Sequence, residues 1–200
     1  MIRTHRLSAP PRRLPRAAAA AVATFALAAC AVGAPPPAST TLVHSRVIEA
    51  AYVPSEVSAA AAAGGLPLVV LGAPPDGSGP EAVAAAMTAP QGLGGQGMAL
   101  IPRGSDGARV VVAFGAGGGR SSLCDADRAG AVDTGPSLDA MLAWCFDDRA
   151  ESSLVVASAA TQGPGDAGFS TAMNQALREL LPIRNPVVDA GERPRVRPRR

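Results

Sequence analysis

The sequence contains no lysine and only two histidines, His5 and His44. Without a lysine amine, a Walker phosphate loop, a Schiff base and a pyridoxal site are all excluded. Past His44 the chain has no imidazole at all. Ser-His-Asp and Cys-His catalysis therefore lack their base there, and the usual histidine-bearing zinc sites lack a ligand. Aromatic residues make up 3% of the chain, with one tryptophan and one tyrosine, which leaves few platforms for stacking a sugar ring. No catalytic, cofactor or metal motif survives these absences, and none is assigned.

What is present begins at the N-terminus. Arg3, Arg6, Arg12, Arg13 and Arg16 stand there without an acid, followed by an uncharged Ala, Val, Thr, Phe and Leu stretch over 17–29. That stretch is shorter than the roughly 20 apolar residues that span a hydrocarbon core, and it has the layout of a secretory signal. It runs into Leu27-Ala28-Ala29-Cys30, which resembles the lipobox of bacterial lipoproteins. The resemblance implies that Leu27 fills a hydrophobic pocket of the processing enzyme and that Ala28 and Ala29 let the peptidase approach the backbone. Cys30 would then take a diacylglycerol and become the first residue of the product. Arg12-Arg13 suggests a twin-arginine signal, but Leu14-Pro15-Arg16 departs from the residues that family places after the pair.

Each buried methylene of an acyl chain contributes about 0.8 kcal/mol, and stable attachment takes more than one chain. A processed lipoprotein has at least two, palmitate among them, so the expected partner of Cys30 is a lipid bilayer. In diderm lipoproteins that this case resembles, Asp after the cysteine favours inner-membrane retention; here the residue is Ala31. The expected location is the outer membrane facing the periplasm, with the cell surface as the alternative.

Without residues 1–29 the chain has 13 arginines against 16 acids, a formal charge of −3. Six of those arginines lie from Ile183 onward, against Asp189 and Glu192 only, so the tail is +4 and the rest −7. An acidic body argues against nucleic acid as a partner, because phosphates require a basic footprint. The Pro/Arg-rich tail reads as a solvated run, or as a contact for anionic headgroups. Two cysteines remain in the body, Cys124 and Cys145. An even pair in an oxidising compartment is expected to form a disulfide.

Composition divides the chain into a signal peptide (1–29), a disordered lipidated tether (30–41), a globular body (42–182) and a disordered tail (183–200). Within the body, Ser55 and Glu56 open an alanine-rich helix that stops at Gly64-Gly65, and 66–71 reads as a strand. Pro80 and Glu81 begin a second helix, with Val83 and Met87 facing inward and Pro90 beyond its end. Residues 98–101 and 109–114 look like strands paired across a turn-rich linker. Residues 138–146 and 153–158 fit a strand-turn-strand around Asp147-Asp148-Arg149, although 138–144 could equally be helical. In 167–181, Phe169, Met173, Leu177 and Leu180 recur at helical spacing while Asn174, Gln175, Arg178 and Glu179 take the other face, Asp166 is placed to cap, and Pro182 stops the helix. The sum is an α+β fold, a mainly antiparallel sheet with two or three helices.

Three constellations invite a chemical reading. Residues 114–120 are glycine-rich after a strand, but Arg120 stands where the third fingerprint glycine belongs and no convincing helix follows, so a hairpin or strand-end loop is expected. Asp125, Asp127, Gly130 and Asp133 partly match a calcium loop, yet Ala129 and Pro136 occupy ligand positions. Asp139, Asp147, Asp148 and Glu151 could supply a glycosidase carboxylate pair. Trp144 beside Cys145 reads as aromatic packing against the disulfide.

Leu123-Cys124, the run from Trp144 through Cys145 to Ser153, and Leu181-Pro182-Ile183-Arg184-Asn185-Pro186 together resemble uncharacterised proteobacterial lipoproteins. That resemblance implies two body cysteines and a terminal helix ending in Leu-Pro, and it brings no activity. The expected function is a non-catalytic accessory or binding module contacting an envelope protein, lipid or wall component, without a cofactor. The alternative is a carboxylate-dependent hydrolase acting on envelope glycan.

Overall fold

The computed structural model describes residues 41–93, 100–102, 106–115, 119–125 and 135–191. Along them run β1 (Thr41–Ile48), α1 (Pro54–Ala62), β2 (Leu66–Leu71), α2 (Pro80–Ala86), β3 (Leu100–Pro102), β4 (Arg109–Phe114), a 3-10 turn (Arg120–Ser122), β5 (Leu138–Phe146), β6 (Arg149–Ser158), α3 (Ala167–Leu180) and α4 (Pro186–Gly191). The strands form one six-stranded sheet in the order β1-β6-β5-β4-β2-β3. β1, β6, β5 and β4 are antiparallel neighbours, and β2 lies parallel to both β4 and β3. The body is therefore a single α+β domain whose sheet is mixed and mostly antiparallel, with three helices of seven or more residues.

Strand periodicity sets the two faces. Val110, Val112 and Phe114 of β4 and Leu138, Ala140, Leu142 and Trp144 of β5 join one core with the buried sides of α1, α2 and α3. The alternate residues Val111, Ala143 and Cys145 point to the other face, where Leu123 and Cys124 cover them. Trp144 is thus not packed on the disulfide: neighbours in a strand face opposite ways, and its indole lies among the helices.

α3 carries the helix-side core. Phe169, Ala172, Met173, Ala176, Leu177 and Leu180 are all buried, one stripe at the period of a helix. Fully burying each of the large ones is worth about 1.5–3 kcal/mol. The Phe169 ring stacks near Phe114 of β4 with centroids 6.3 Å apart. Asp166 does not cap this helix through its side chain; its Oδ2 instead accepts from the Gln162 N–H at 2.8 Å, tying down the preceding turn.

Other local signals act as expected from chemistry, with shifts in detail. α1 starts at Pro54 rather than Ser55, since proline's fixed φ and missing N–H suit a first helical turn. It ends before Gly64 and Gly65, whose φ of 114° and 132° L side chains rarely adopt. β3 and β4 do not pair with each other: both pair with β2, one on each side. The nearly continuous apolar run of β2 suits a strand with parallel neighbours on either edge, and a pattern read pair by pair misses that. β5 and β6 form the expected hairpin across Asp147 and Asp148, with Asp147 at φ 53°.

Past Pro182, where composition suggests no order, the chain stays attached through 191. Asn185 is buried and donates from Nδ2 to the carbonyls of Glu49, Ala50 and Tyr52 at 3.1, 3.2 and 2.8 Å, and its Oδ1 caps α4 by accepting from the Val187 N–H. A single side chain whose two amide hydrogens are shared among three carbonyls and whose oxygen takes one backbone amide outweighs the local Pro/Arg composition. The remainder of the tail, 192–200, lies outside the described residues.

Candidate functional site

The C-terminal end of α3 and the segment after α2 enclose an open cavity of about 730 Å³. One wall is Thr88, Ala89, Pro90 and Gln91; the other is Asn174, Arg178, Leu181, Pro182 and Ile183. The volume falls within the range of small-molecule sites, roughly 300–1,000 Å³. Hydrogen bonds from outside the cavity hold its second wall. Tyr52 Oη donates to the Pro182 carbonyl at 2.8 Å, and Ser152 Oγ donates to the Leu180 carbonyl at 2.7 Å. Asn174 joins the two walls, its Oδ1 accepting from the Thr88 N–H at 2.7 Å. Gly92 passes so close that a β-carbon there would touch Ile183 Cγ2 at 3.5 Å.

The lining's polar side chains are Thr88, Gln91, Asn174 and Arg178, and on the α3 side Asn174 and Arg178 present donors. Because an N–H can only donate, Thr88 fixes which end of the Asn174 amide is oxygen, and the Nδ2 group is left without a partner among the described residues. Arg178, one turn further along α3, likewise makes no hydrogen bond or ion pair among the described residues. Among the described residues no acid lines the cavity. Ile183, at 63% exposure, is the most exposed large apolar side chain among them.

A second feature is an acidic pair between α1 and the sheet, a buried Glu151 and a half-buried Glu56. Trp144 pairs with Ser152 and Cys145 with Ala150, so Glu151 is the extra residue of a β-bulge in β6. Its side chain is 5% exposed, and Oε2 has no hydrogen-bond partner among the described residues. Burial pushes the Glu151 carboxyl up, the nearby Glu56 carboxylate pushes it further, and Arg149 pulls it back. Arg149 is a weak counterweight, with Nη2 4.0 Å from Oε1 and its own side chain mostly in water. Glu56 in the first turn of α1 also has a buried, unpartnered Oε2, and burial together with Glu151 raises the Tyr52 phenol.

The residues that the sequence offers as candidates separate in space. Cys124 and Cys145 form the expected disulfide, with Cα atoms 5.6 Å apart. Of the four candidate carboxylates, only Glu151 is buried; Asp139, Asp147 and Asp148 are exposed. Glu151 meets Glu56, which the sequence marks only as a helix-start residue. Asp148 borders a second surface cavity of about 570 Å³ with Glu49, Arg120 and Arg149, where Arg120 and Glu49 already face each other at 3.4 Å. The glycine-rich run ends in the 3-10 turn Arg120–Ser122, with 116–118 outside the described residues. Of the partial calcium loop, Asp127, Gly130 and Asp133 fall on 126–134, and the lipidation candidate Cys30 falls on 1–40, all also outside them, while Asp125 is described.

Sequence reasoning places Asn174 and Arg178 on the polar face of α3 and stops there. Their spacing of four is the available signal; that Thr88 through Gln91 stand opposite has none. Among the described residues no group of three or more His, Cys, Asp or Glu side chains is arranged to hold a metal ion, and no helix is long and apolar enough to cross a membrane. Comparison of the chain with protein-family models, with curated proteins and with solved structures finds no match.

Proposed function

We propose that this chain is a bacterial envelope lipoprotein, anchored through Cys30, whose body is a non-catalytic binding module, with the outer membrane facing the periplasm as its place. The observation that carries the binding reading is the open cavity against α3, lined by Ala89, Pro90, Leu181, Pro182 and Ile183 beside the Asn174 and Arg178 donors that no described residue satisfies. The lipobox-like Leu27-Ala28-Ala29-Cys30 supports the anchor, and a body disulfide is in keeping with an exported protein.

The experiment is site-specific photocrosslinking in living cells from position 183. Capture of a reproducible envelope component that is lost when Arg178 is changed to Glu supports the binding reading. Labelling no different from that of a position on β1 contradicts it. For the anchor, Cys30→Ala should move the protein out of the membrane fraction, and unchanged membrane association would overturn lipidation.

A hydrolase acting on glycan has one observation in its favour, the Glu56 and Glu151 pair with Glu151 pushed up. Against it, Glu151 is buried and lines neither cavity, so a glycosidic oxygen has no path to it through them. Turnover of envelope glycan that Glu151→Gln abolishes would reverse this ranking.

A further inference from the structure

We propose that the cavity against α3 is a binding site for an aliphatic carboxylate, its head group held by Asn174 and Arg178 and its chain lying along Ala89, Pro90, Leu181 and Ile183. The inference rests on reading the body as a binding module and names the ligand class.

The head group follows from the donor set. Asn174 and Arg178 are four residues apart in α3, on one face of the helix. The Thr88 N–H occupies Asn174 Oδ1 at 2.7 Å, so the amide can present only its Nδ2 hydrogens to a ligand. Arg178 presents a planar guanidinium without a partner among the described residues. Two forked donors side by side match the two oxygens of a carboxylate, and one cation with no acid among the described lining residues matches a single negative charge. A phosphate dianion would leave a charge uncompensated here.

The body of the ligand follows from the rest of the lining. Ala89, Pro90, Leu181, Pro182 and Ile183 offer carbon and no titratable group. Tyr52, Ser152 and Asn174 hold the walls through the hydrogen bonds described above, so the site stands preformed and binding does not have to order it. No aromatic platform is found among the described lining residues, which favours a flexible alkyl chain over a planar ring.

The test uses the full chain isotopically labelled for NMR, with decanoate as the probe and decanol and inorganic phosphate as comparisons. Decanoate should shift the Asn174 side-chain amide and Arg178 Nε–H signals saturably. Decanol and phosphate should each bind at least roughly tenfold more weakly, the loss expected for a missing charge-assisted hydrogen bond or a missing apolar chain. Arg178→Gln, an exposed change that leaves the fold intact, should weaken decanoate by a similar factor, and Ile183→Asp should weaken it independently. Absence of saturable shifts at Asn174, equal binding of decanol or of phosphate, or an unchanged affinity in Arg178→Gln would each overturn the assignment. If decanoate fails while crosslinking from position 183 still captures an Arg178-dependent neighbour, the carboxylate is wrong and the binding module stands. If both fail, the cavity is not a site.

Discussion

On one face of the sheet Trp144, Leu142 and Leu154 lie under three helices; on the other Val111, Ala143 and Cys145 lie under a few residues around Leu123 and Cys124. The first cover supplies large apolar side chains, among them Phe169, Met173 and Leu177 of α3, and is held by their burial. Among the described residues the second is short, and a disulfide and the Arg109 hydrogen bonds hold it. Cys124 is bonded to Cys145, and buried Arg109 donates from Nη2 to the Cys124 carbonyl and from Nη1 to the Gly107 carbonyl at 2.7 Å. Burial pushes the Arg109 guanidinium down from its ordinary value, and Asp106 and Asp147 offset that in part. Among the described residues, then, one sheet face is closed by apolar area from helices and the other by a covalent and charged clamp.

The largest break in that contrast should come from the helix side. Phe169→Ala removes a fully buried ring and is expected to cost about 3–5 kcal/mol, measured as a lowered urea midpoint; a loss below about 1 kcal/mol would mean the helix layer is not the main support. Replacing Cys124 and Cys145 together by Ser opens a loop of 21 residues. The expected cost is about 3 kcal/mol in the chain-entropy account. In that variant hydrogen exchange should rise first in 119–125 while α3 remains protected, and equal loss of protection in both would show that the two faces unfold as one unit.

Asn185→Ala leaves three carbonyls with fewer donors and should cost about 2 kcal/mol. Its signature is faster exchange in α4 before any change in the strands. The smallest effect belongs to Glu151. A carboxyl whose folded pKa is raised contributes most at acid pH, below its unfolded pKa, and that contribution is lost as pH rises through the folded value. Glu151→Gln should therefore flatten the fall in stability above the ordinary carboxylate range and raise the urea midpoint at neutral pH. An unchanged pH profile would show that Glu151 ionises freely.

Much of the fold was readable along the chain. The 3.6-residue apolar spacing of α3, Pro80 opening α2, Gly64-Gly65 after α1 and the Val-rich run of β6 are local signals, each decided within a turn of helix or a hairpin, whereas 138–144 left strand and helix equally open. The pairing of β3 and β4 with β2 was not local, because an apolar strand carries no mark of which neighbour it takes. The attachment of residues 183–191 was hidden for the same reason, resting on Asn185 and carbonyls more than 130 positions away.

The candidate site divides likewise. The sequence by itself determined which chemistry is missing, with no lysine and no imidazole past His44, and which residues stand on the polar face of α3. It also presented Cys124 and Cys145 as a pair. Only the tertiary structure decided that Asn174 and Arg178 face the segment from Thr88 to Gln91, far from them in sequence, and that Glu151 turns inward beside Glu56 rather than outward with Asp147 and Asp148. The reason is physical: residue type sets what a side chain can donate, accept or ionise, whereas burial and partners come from segments that chain order does not place together.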